Sequence, residues 1–198
     1  MLEKPAATDY PIHELLQRRW SPRVFADRPL ELHALRSIFE AARWAPSSGN
    51  GQPWSFLVAR REQTAEFEKL AGLLVPGNAW AKKGAALMLS VAALDRAPGK
   101  PYRHSWHDVG LATENLLLQA YSMGLAIHPM AGFDTVKARE VFAIPDRWEP
   151  VAMIALGHPG DPNDLPEDLR LREVEPRRRK PASEFVYFGK WGQPGGLE

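Results

Sequence analysis

The segment Ala85 to Leu94, AALMLSVAAL, carries one hydroxyl and no charge. It has no face to offer water, so it must be buried on both sides. A run of that length fits a buried strand or a piece of buried helix. Pro98-Gly99 ends it and a strong helical pattern begins just beyond, which favours strand. Val151 to Leu156, VAMIAL, is a second run of the same kind. Between them lies a helix from about Asp108 to Met123. Val109, Ala112, Leu116, Gln119 and Ala120 fall on or near one face, and Gly124 suits the C′ position. This helix is apolar on more than one side and is predicted to be central.

Further elements surround these three. Tyr10 to Arg19 reads as a short helix, with Ile12, Leu15 and Leu16 on one face and Pro11 in its first turn. Glu31 to Trp44 is a second helix, stopped by Pro46. Trp54 to Ala59 follows a polar loop as a strand. Thr64 to Leu74 is helical, and Val75 to Asn78 forms a turn. Leu125 to Met130 is a short strand and Thr135 to Phe142 a short helix. Asp161 to Pro181 is rich in charge and proline, and Glu184 to Gly189 then reads as a strand. Such an arm has little apolar surface to bury against its own core, so it is expected to wrap a partner subunit. Helices alternating with strands around one sheet give an α+β or α/β sandwich.

The chain has 198 residues, enough for one domain with a substantial core, so residues 1–198 are taken as one domain with an arm over about 161–198. Cysteine is absent, which excludes disulfides, thiolate nucleophiles and cysteine metal sites. The net charge of +1 gives no reason to expect nucleic acid or a membrane surface. No apolar run is long enough to span a bilayer, and MLEKPAATDYP lacks the apolar core of a secretory signal. A cytoplasmic protein is expected.

The common catalytic signatures are missing: no G-x-S-x-G, no phosphate-loop G-x-x-x-x-G-K-[ST], no H-E-x-x-H and no G-x-G-x-x-G. His104 and His107, followed by Asp108, have a spacing open to metal binding, and equally to a polar helix start. His128, beside Pro129, suits a core or pocket wall. Two arginine clusters stand at opposite ends of the chain: Arg18, Arg19 and Arg23, and the run Arg177 to Lys180. A phosphate monoester wants more than one guanidinium, because each offers forked donors and full charge. The loop Pro46-Ser47-Ser48-Gly49-Asn50 offers hydroxyls and an amide. These features fit a phosphorylated cofactor, or plain loops with surface arginines.

At these residues the chain resembles the nitroreductase family of flavoproteins. Arg19-Trp20-Ser21-Pro22-Arg23-Val24-Phe25 is similar to its N-terminal signature. Ala45-Pro46-Ser47-Ser48-Gly49-Asn50-Gly51-Gln52-Pro53-Trp54 resembles its A-P-S-x-x-N-x-Q-P-W block. Pro129-Met130-Ala131-Gly132-Phe133 matches its P-x-x-G-F loop, and Arg177-Arg178-Arg179-Lys180-Pro181 its C-terminal basic patch. The likeness runs over about residues 10 to 192, with the blocks in order.

The resemblance implies an α+β fold with a central mixed sheet flanked by helices, and a homodimer whose C-terminal arm wraps the partner subunit. It implies FMN as cofactor and NAD(P)H as reductant. Hydride would pass through flavin N5 to a small electrophilic acceptor, such as a quinone or nitro compound, by a ping-pong mechanism. Arg19 and Arg23, with Arg177 and Arg179, would hold the phosphate and the pyrimidine edge, and Trp20 and Ser21 would line the phosphate and ribityl side. Pro46, Ser47, Ser48 and Asn50 would come from the other subunit. Pro129, Met130, Ala131 and Gly132 would pass the N5 edge with backbone N–H groups, and Asn78 would stand near the ring. No side chain is required as acid or base. Relatives also include deiodinases, enal or semialdehyde reductases and flavin-consuming synthases, and a non-catalytic FMN-binding protein is a further reading. Some members carry glutamate where this chain has Ala131, which leaves only the backbone to act. Trp20 replaces a basic residue and leaves one fewer positive charge near the cofactor.

Overall fold

The computed structural model describes residues 2–193. Its strands are β1 (Trp54–Arg60), β2 (Ala86–Ala93), β3 (Asp95–Ala97), β4 (Lys100–Pro101), β5 (Ala126–Met130) and β6 (Trp148–Gly157). Its α-helices are α1 (Glu14–Arg18), α2 (Leu32–Arg43), α3 (Thr64–Ala71), α4 (Ser105–Ser122), α5 (Thr135–Phe142) and α6 (Glu167–Val174).

The main sheet has the order β1-β2-β6-β5, and every pairing in it is antiparallel. Both apolar runs are therefore strands, and they lie side by side at its centre. Side chains alternate across β2: Leu87 and Leu89 enter one core cluster, Met88 the other. The same alternation splits Met153 and Ala155 from Ile154 and Leu156 on β6. One face is covered by α2 and α4 through Leu35, Ile38, Ala112 and Leu116. The other is covered by α3 and α5 through Phe67, Leu70 and Ala138. Each fully buried leucine, isoleucine or methionine contributes about 1.5–3 kcal/mol. Ser90, the one hydroxyl in the first run, sits at a bulge in the β2–β6 ladder. Its Oγ donates to the Ala152 carbonyl at 3.2 Å and accepts the Ala152 amide at 3.1 Å. The irregular pairing thus leaves no polar group of that pair stranded.

Helix α4 is central as its pattern predicts: Val109, Ala112, Leu116 and Ala120 are wholly buried, and Gly124 follows it at φ 73°. Four expectations need correction. The sheet is antiparallel, not mixed, and the segment expected as the last strand does not join it. Glu184 to Gly189 instead closes on itself: the Val186 amide donates to the Ala182 carbonyl at 2.8 Å and the Tyr187 hydroxyl to the Glu184 carbonyl at 2.7 Å. The first helix is shorter than expected and excludes Pro11, because the His13 ring caps the Leu15 amide at 3.2 Å and starts the helix there. The charged stretch beyond Asp161 contains α6 and docks on its own chain. It packs Leu169 against the core and also buries a charge: Glu173 is fully enclosed. One feature the sequence reading passed over is a small hairpin, β3–β4, turned by Pro98-Gly99 with Gly99 at φ 71°. Among the described residues no helix is long and apolar enough to cross a membrane.

Candidate functional site

Members of the two arginine clusters, Arg19 and Arg23 from one and Arg177 and Arg179 from the other, 150 or more positions apart in sequence, meet in one cavity of about 270 Å³, while Arg18 pairs with Glu3 and Glu14. Lys4, Arg19, Arg23, Arg172, Arg177 and Arg179 line it, with Glu175 as the one carboxylate among the lining residues. Trp20 and Ser21 complete the wall. The binding is built from both chain ends. The buried Glu173 carboxylate accepts the Arg23 amide at 2.8 Å through Oε1, and its Oε2 lies 3.5 Å from Arg23 Nη1. Lys4 Nζ donates to the Glu173 carbonyl at 2.6 Å and stands 4.5 Å from the centre of the Trp20 ring. Arg177 Nη1 donates to the carbonyls of Lys4 at 3.1 Å and Gln17 at 2.7 Å.

Positive charge is in excess here. Burial pushes the Arg177 guanidinium below its ordinary pKa, and neighbouring Arg19 and Arg179 push the same way. Burial also lowers Lys4, against the pull of Glu173. The Trp20 indole N–H is buried with no partner among the described residues. Like charges crowded around a concave wall with an orphan donor describe an anion site.

The P-x-x-G-F loop is tied to this cavity through His128. Its Nδ1 lies 2.9 Å from the Pro22 carbonyl, which can only accept, so Nδ1 carries the proton. The ring packs on Trp80, centroids 4.6 Å apart, and burial lowers its pKa to about 4. His128 thus fixes β5 to the segment carrying Ser21. Beyond it, Pro129 is half-buried, and the Met130 side chain lies in the core at 4% exposure, so Met130 has only its backbone to offer. The amides of Ala131 and Gly132 donate no hydrogen bond among the described residues. Asn78 Nδ2 donates to the Gly132 carbonyl at 2.9 Å, so its amide supports this loop. A Cβ on Gly132 would lie 2.8 Å from Asn78 Nδ2 and 2.9 Å from Val75 Cγ2, which leaves no room for a side chain.

Pro46, Ser47, Ser48 and Asn50 are not brought to the arginine cavity in this chain. Their loop sits on the start of α4. Asp108 Oδ2 accepts the Ser48 amide at 2.9 Å and the Tyr102 hydroxyl at 2.8 Å, and Asp108 Oδ1 lies 2.9 Å from His107 Nδ1. Burial acts to raise the Asp108 pKa, but the bonds from His107, Ser48 and Tyr102 outweigh it and hold the carboxyl below its ordinary value. Asp108 is therefore a buried anchor for the loop. Asn50 and Gln52 both adopt positive φ, 52° and 44°. Left-handed backbone at non-glycine residues is uncommon and concentrates at functional sites. Gly51 is required by contact: a Cβ there would lie 2.2 Å from the Tyr102 hydroxyl.

Sequence reading missed Lys4, Arg172, Glu173 and Arg96. All are polar residues in charged or loop segments, where no periodicity marks a buried role. Asp108 was visible only as one member of a possible metal spacing.

Comparison with known proteins gives a consistent result. The family model described as Nitroreductase family matches residues 16–158. An uncharacterized 15.4 kDa protein of Mycolicibacterium smegmatis is 40% identical over 146 residues, covering 70% of this chain and 98% of that one. An NADH dehydrogenase of Thermus thermophilus is 29% identical over 188 residues, covering 79% and 91%. A crystal structure described as an oxidoreductase containing FMN superposes with a TM-score of 0.88 at 34% identity, covering 94% of this chain and 96% of that one.

Proposed function

The chain belongs to the nitroreductase family, and on that premise we propose that it is an FMN-dependent oxidoreductase. It acts as a cytoplasmic homodimer, one domain per chain, and passes hydride from NAD(P)H to a small electrophilic acceptor such as a quinone or nitro compound. The observation that carries the reading is the arginine cavity. A phosphate monoester dianion matches a wall with six cations and one carboxylate. FMN, when bound, supplies the hydride exchange between donor and acceptor.

The protein's own part is to hold and orient. Arg19, Arg23, Arg177 and Arg179 neutralise the phosphate, and Trp20 and Ser21 line the ribityl side. The free amides of Ala131 and Gly132 are donors for the polar edge of the ring. Asn78 and His128 fix the loop that presents them. Pro46, Ser47, Ser48 and Asn50 do not line the arginine cavity of their own chain, which supports their serving the site of a second subunit. Exposed aromatic side chains support that subunit too: Trp44 is 71% exposed, Trp106 54% and Trp191 92%.

The test is direct. Purified protein should be yellow, release FMN on denaturation and oxidise NAD(P)H with a quinone. A colourless protein that takes up no added FMN overturns the reading.

A further inference from the structure

A second cavity, about 640 Å³, is walled by the Gly49–Pro53 loop, the β3–β4 hairpin and the start of β6. Two guanidiniums, Arg96 and Arg147, line it beside Tyr102 and Trp148. Neither forms an ion pair with a carboxylate among the described residues.

Arg96 is held in place even though it is exposed. Its Nη2 donates to both the carbonyl and the hydroxyl oxygen of Ser48, each at 2.8 Å. Its guanidinium lies 4.3 Å from the centre of the Tyr102 ring. Tyr102 is itself fixed by the buried Asp108, which also grips the Ser48 amide. An arginine has five N–H donors. Two are committed to Ser48, which leaves those on Nη1 and Nε. Gly49 permits this approach, because a Cβ there would lie 3.0 Å from Arg96 Nη1. An arginine whose freedom is already removed, with donors to spare and no carboxylate partner, is preorganised for an oxyanion. Trp148 adds an aromatic surface beside it.

We propose that this cavity is an oxyanion-recognition subsite that selects planar aromatic ligands carrying a carboxylate or phosphate, with the anion on Arg96 and Arg147. The proposal deepens the function above and rests on it only for placing a flavin beside the cavity, by way of the Ser47 to Asn50 loop. A carboxylated acceptor and a nicotinamide nucleotide both present this chemistry.

Isothermal titration calorimetry on the protein as purified tests it without turnover. One pair of probes is 4-nitrobenzoate and 4-nitrobenzamide; the other is nicotinamide mononucleotide and nicotinamide riboside. The wild type should bind the anionic member of at least one pair about tenfold more tightly, the ratio of one lost charge-assisted bond. Arg96→Gln and Arg147→Gln should each remove most of that preference, while Arg96→Lys should keep part of it. A preference in the first pair assigns the subsite to the acceptor, and in the second to the nucleotide. Equal binding within both pairs by the wild type overturns the proposal, as does a preference that survives both glutamine variants. Failure of the proposed function shows elsewhere, as absent FMN or absent NAD(P)H oxidation.

Discussion

Glu173 holds Arg23 from the opposite end of the sequence: its Oε1 accepts the Arg23 amide at 2.8 Å. The carboxylate is fully buried at the end of α6, and the segment it fixes carries Arg19, Trp20 and Ser21 into the cavity wall. Removing the carboxylate takes a charged acceptor from the Arg23 amide, at a cost of about 1.5–3 kcal/mol. Glu173→Ala should lose stability on that scale in urea unfolding and bind FMN more weakly. Glu173→Gln keeps an acceptor for the Arg23 amide and should lose less. An alanine variant within 1 kcal/mol of wild type (about the ordinary cost of a point substitution) would show that Glu173 is a passive neighbour.

On the proposed function, Arg19 meets the phosphate of FMN rather than the ring. A charge-assisted hydrogen bond contributes about 1.5–3 kcal/mol, roughly ten- to 150-fold in affinity. Arg19→Ala should weaken FMN by at least the lower figure in a fluorescence-quenching titration. Riboflavin has no phosphate, so its affinity should change little. Equal loss for both flavins would place Arg19 at the ring or in the fold.

Much of this was legible in the sequence. The apolar runs at Ala85–Leu94 and Val151–Leu156 could only be buried, and they are the central strands β2 and β6. Arg19, Trp20, Ser21, Arg23, Arg177 and Arg179, named as site residues by the family resemblance, do share one cavity. Glu173 was not legible. A glutamate in a run of charges reads as solvated, and only the fold shows it enclosed by Arg23 and Lys4. The Glu184–Gly189 segment misled for the opposite reason. Its apolar residues suit a strand, but a strand needs an edge to pair with, and the segment joins neither edge strand of its own sheet, β1 or β5. Phe185 and Phe188 stand 64% and 58% exposed.

His128 makes stability depend on acidity. Burial lowers its pKa from 6.5 to about 4, so the folded protein keeps the ring neutral while the unfolded chain protonates it. Its contribution is fully present above pH 6.5, declines as pH falls, and is gone once pH reaches about 4. That interval is worth roughly 3 kcal/mol. Urea unfolding from pH 7 to pH 4 should show wild-type stability falling more steeply than that of His128→Gln. Parallel profiles would mean that His128 titrates normally.

The exposed C-terminal apolar residues should join two subunits. Deleting everything from Pro176 onward removes Arg177 and Arg179 from the cavity as well as Phe185, Phe188 and Trp191 from the surface. The truncated chain should lose both dimer and flavin in sedimentation at micromolar concentration. A full-length protein that sediments as a flavin-loaded monomer would refute the shared site.

Catalysis should need no protein acid, and the histidines test this. Histidine is the side chain whose ordinary pKa suits proton transfer near neutrality. His128 is poorly placed for it: its pKa is about 4, and its Nδ1 proton is committed to the Pro22 carbonyl. His107 is 68% exposed and lies against the Asp108 anchor. Loss of an essential acid costs about 10²–10⁴ in rate. His104→Ala, His107→Ala and His128→Ala should each keep quinone reductase activity within about tenfold, below that range. His128→Ala should show the largest loss, through the loop it fixes. If donor and acceptor use one site in turn, initial rates at several fixed acceptor concentrations should give parallel double-reciprocal lines. Converging lines would require donor and acceptor bound together. A thousandfold loss in one histidine variant that still holds FMN would make that histidine the acid. The chain would then belong among the substrate-specific reductases of its family, rather than those that accept quinones and nitro compounds broadly.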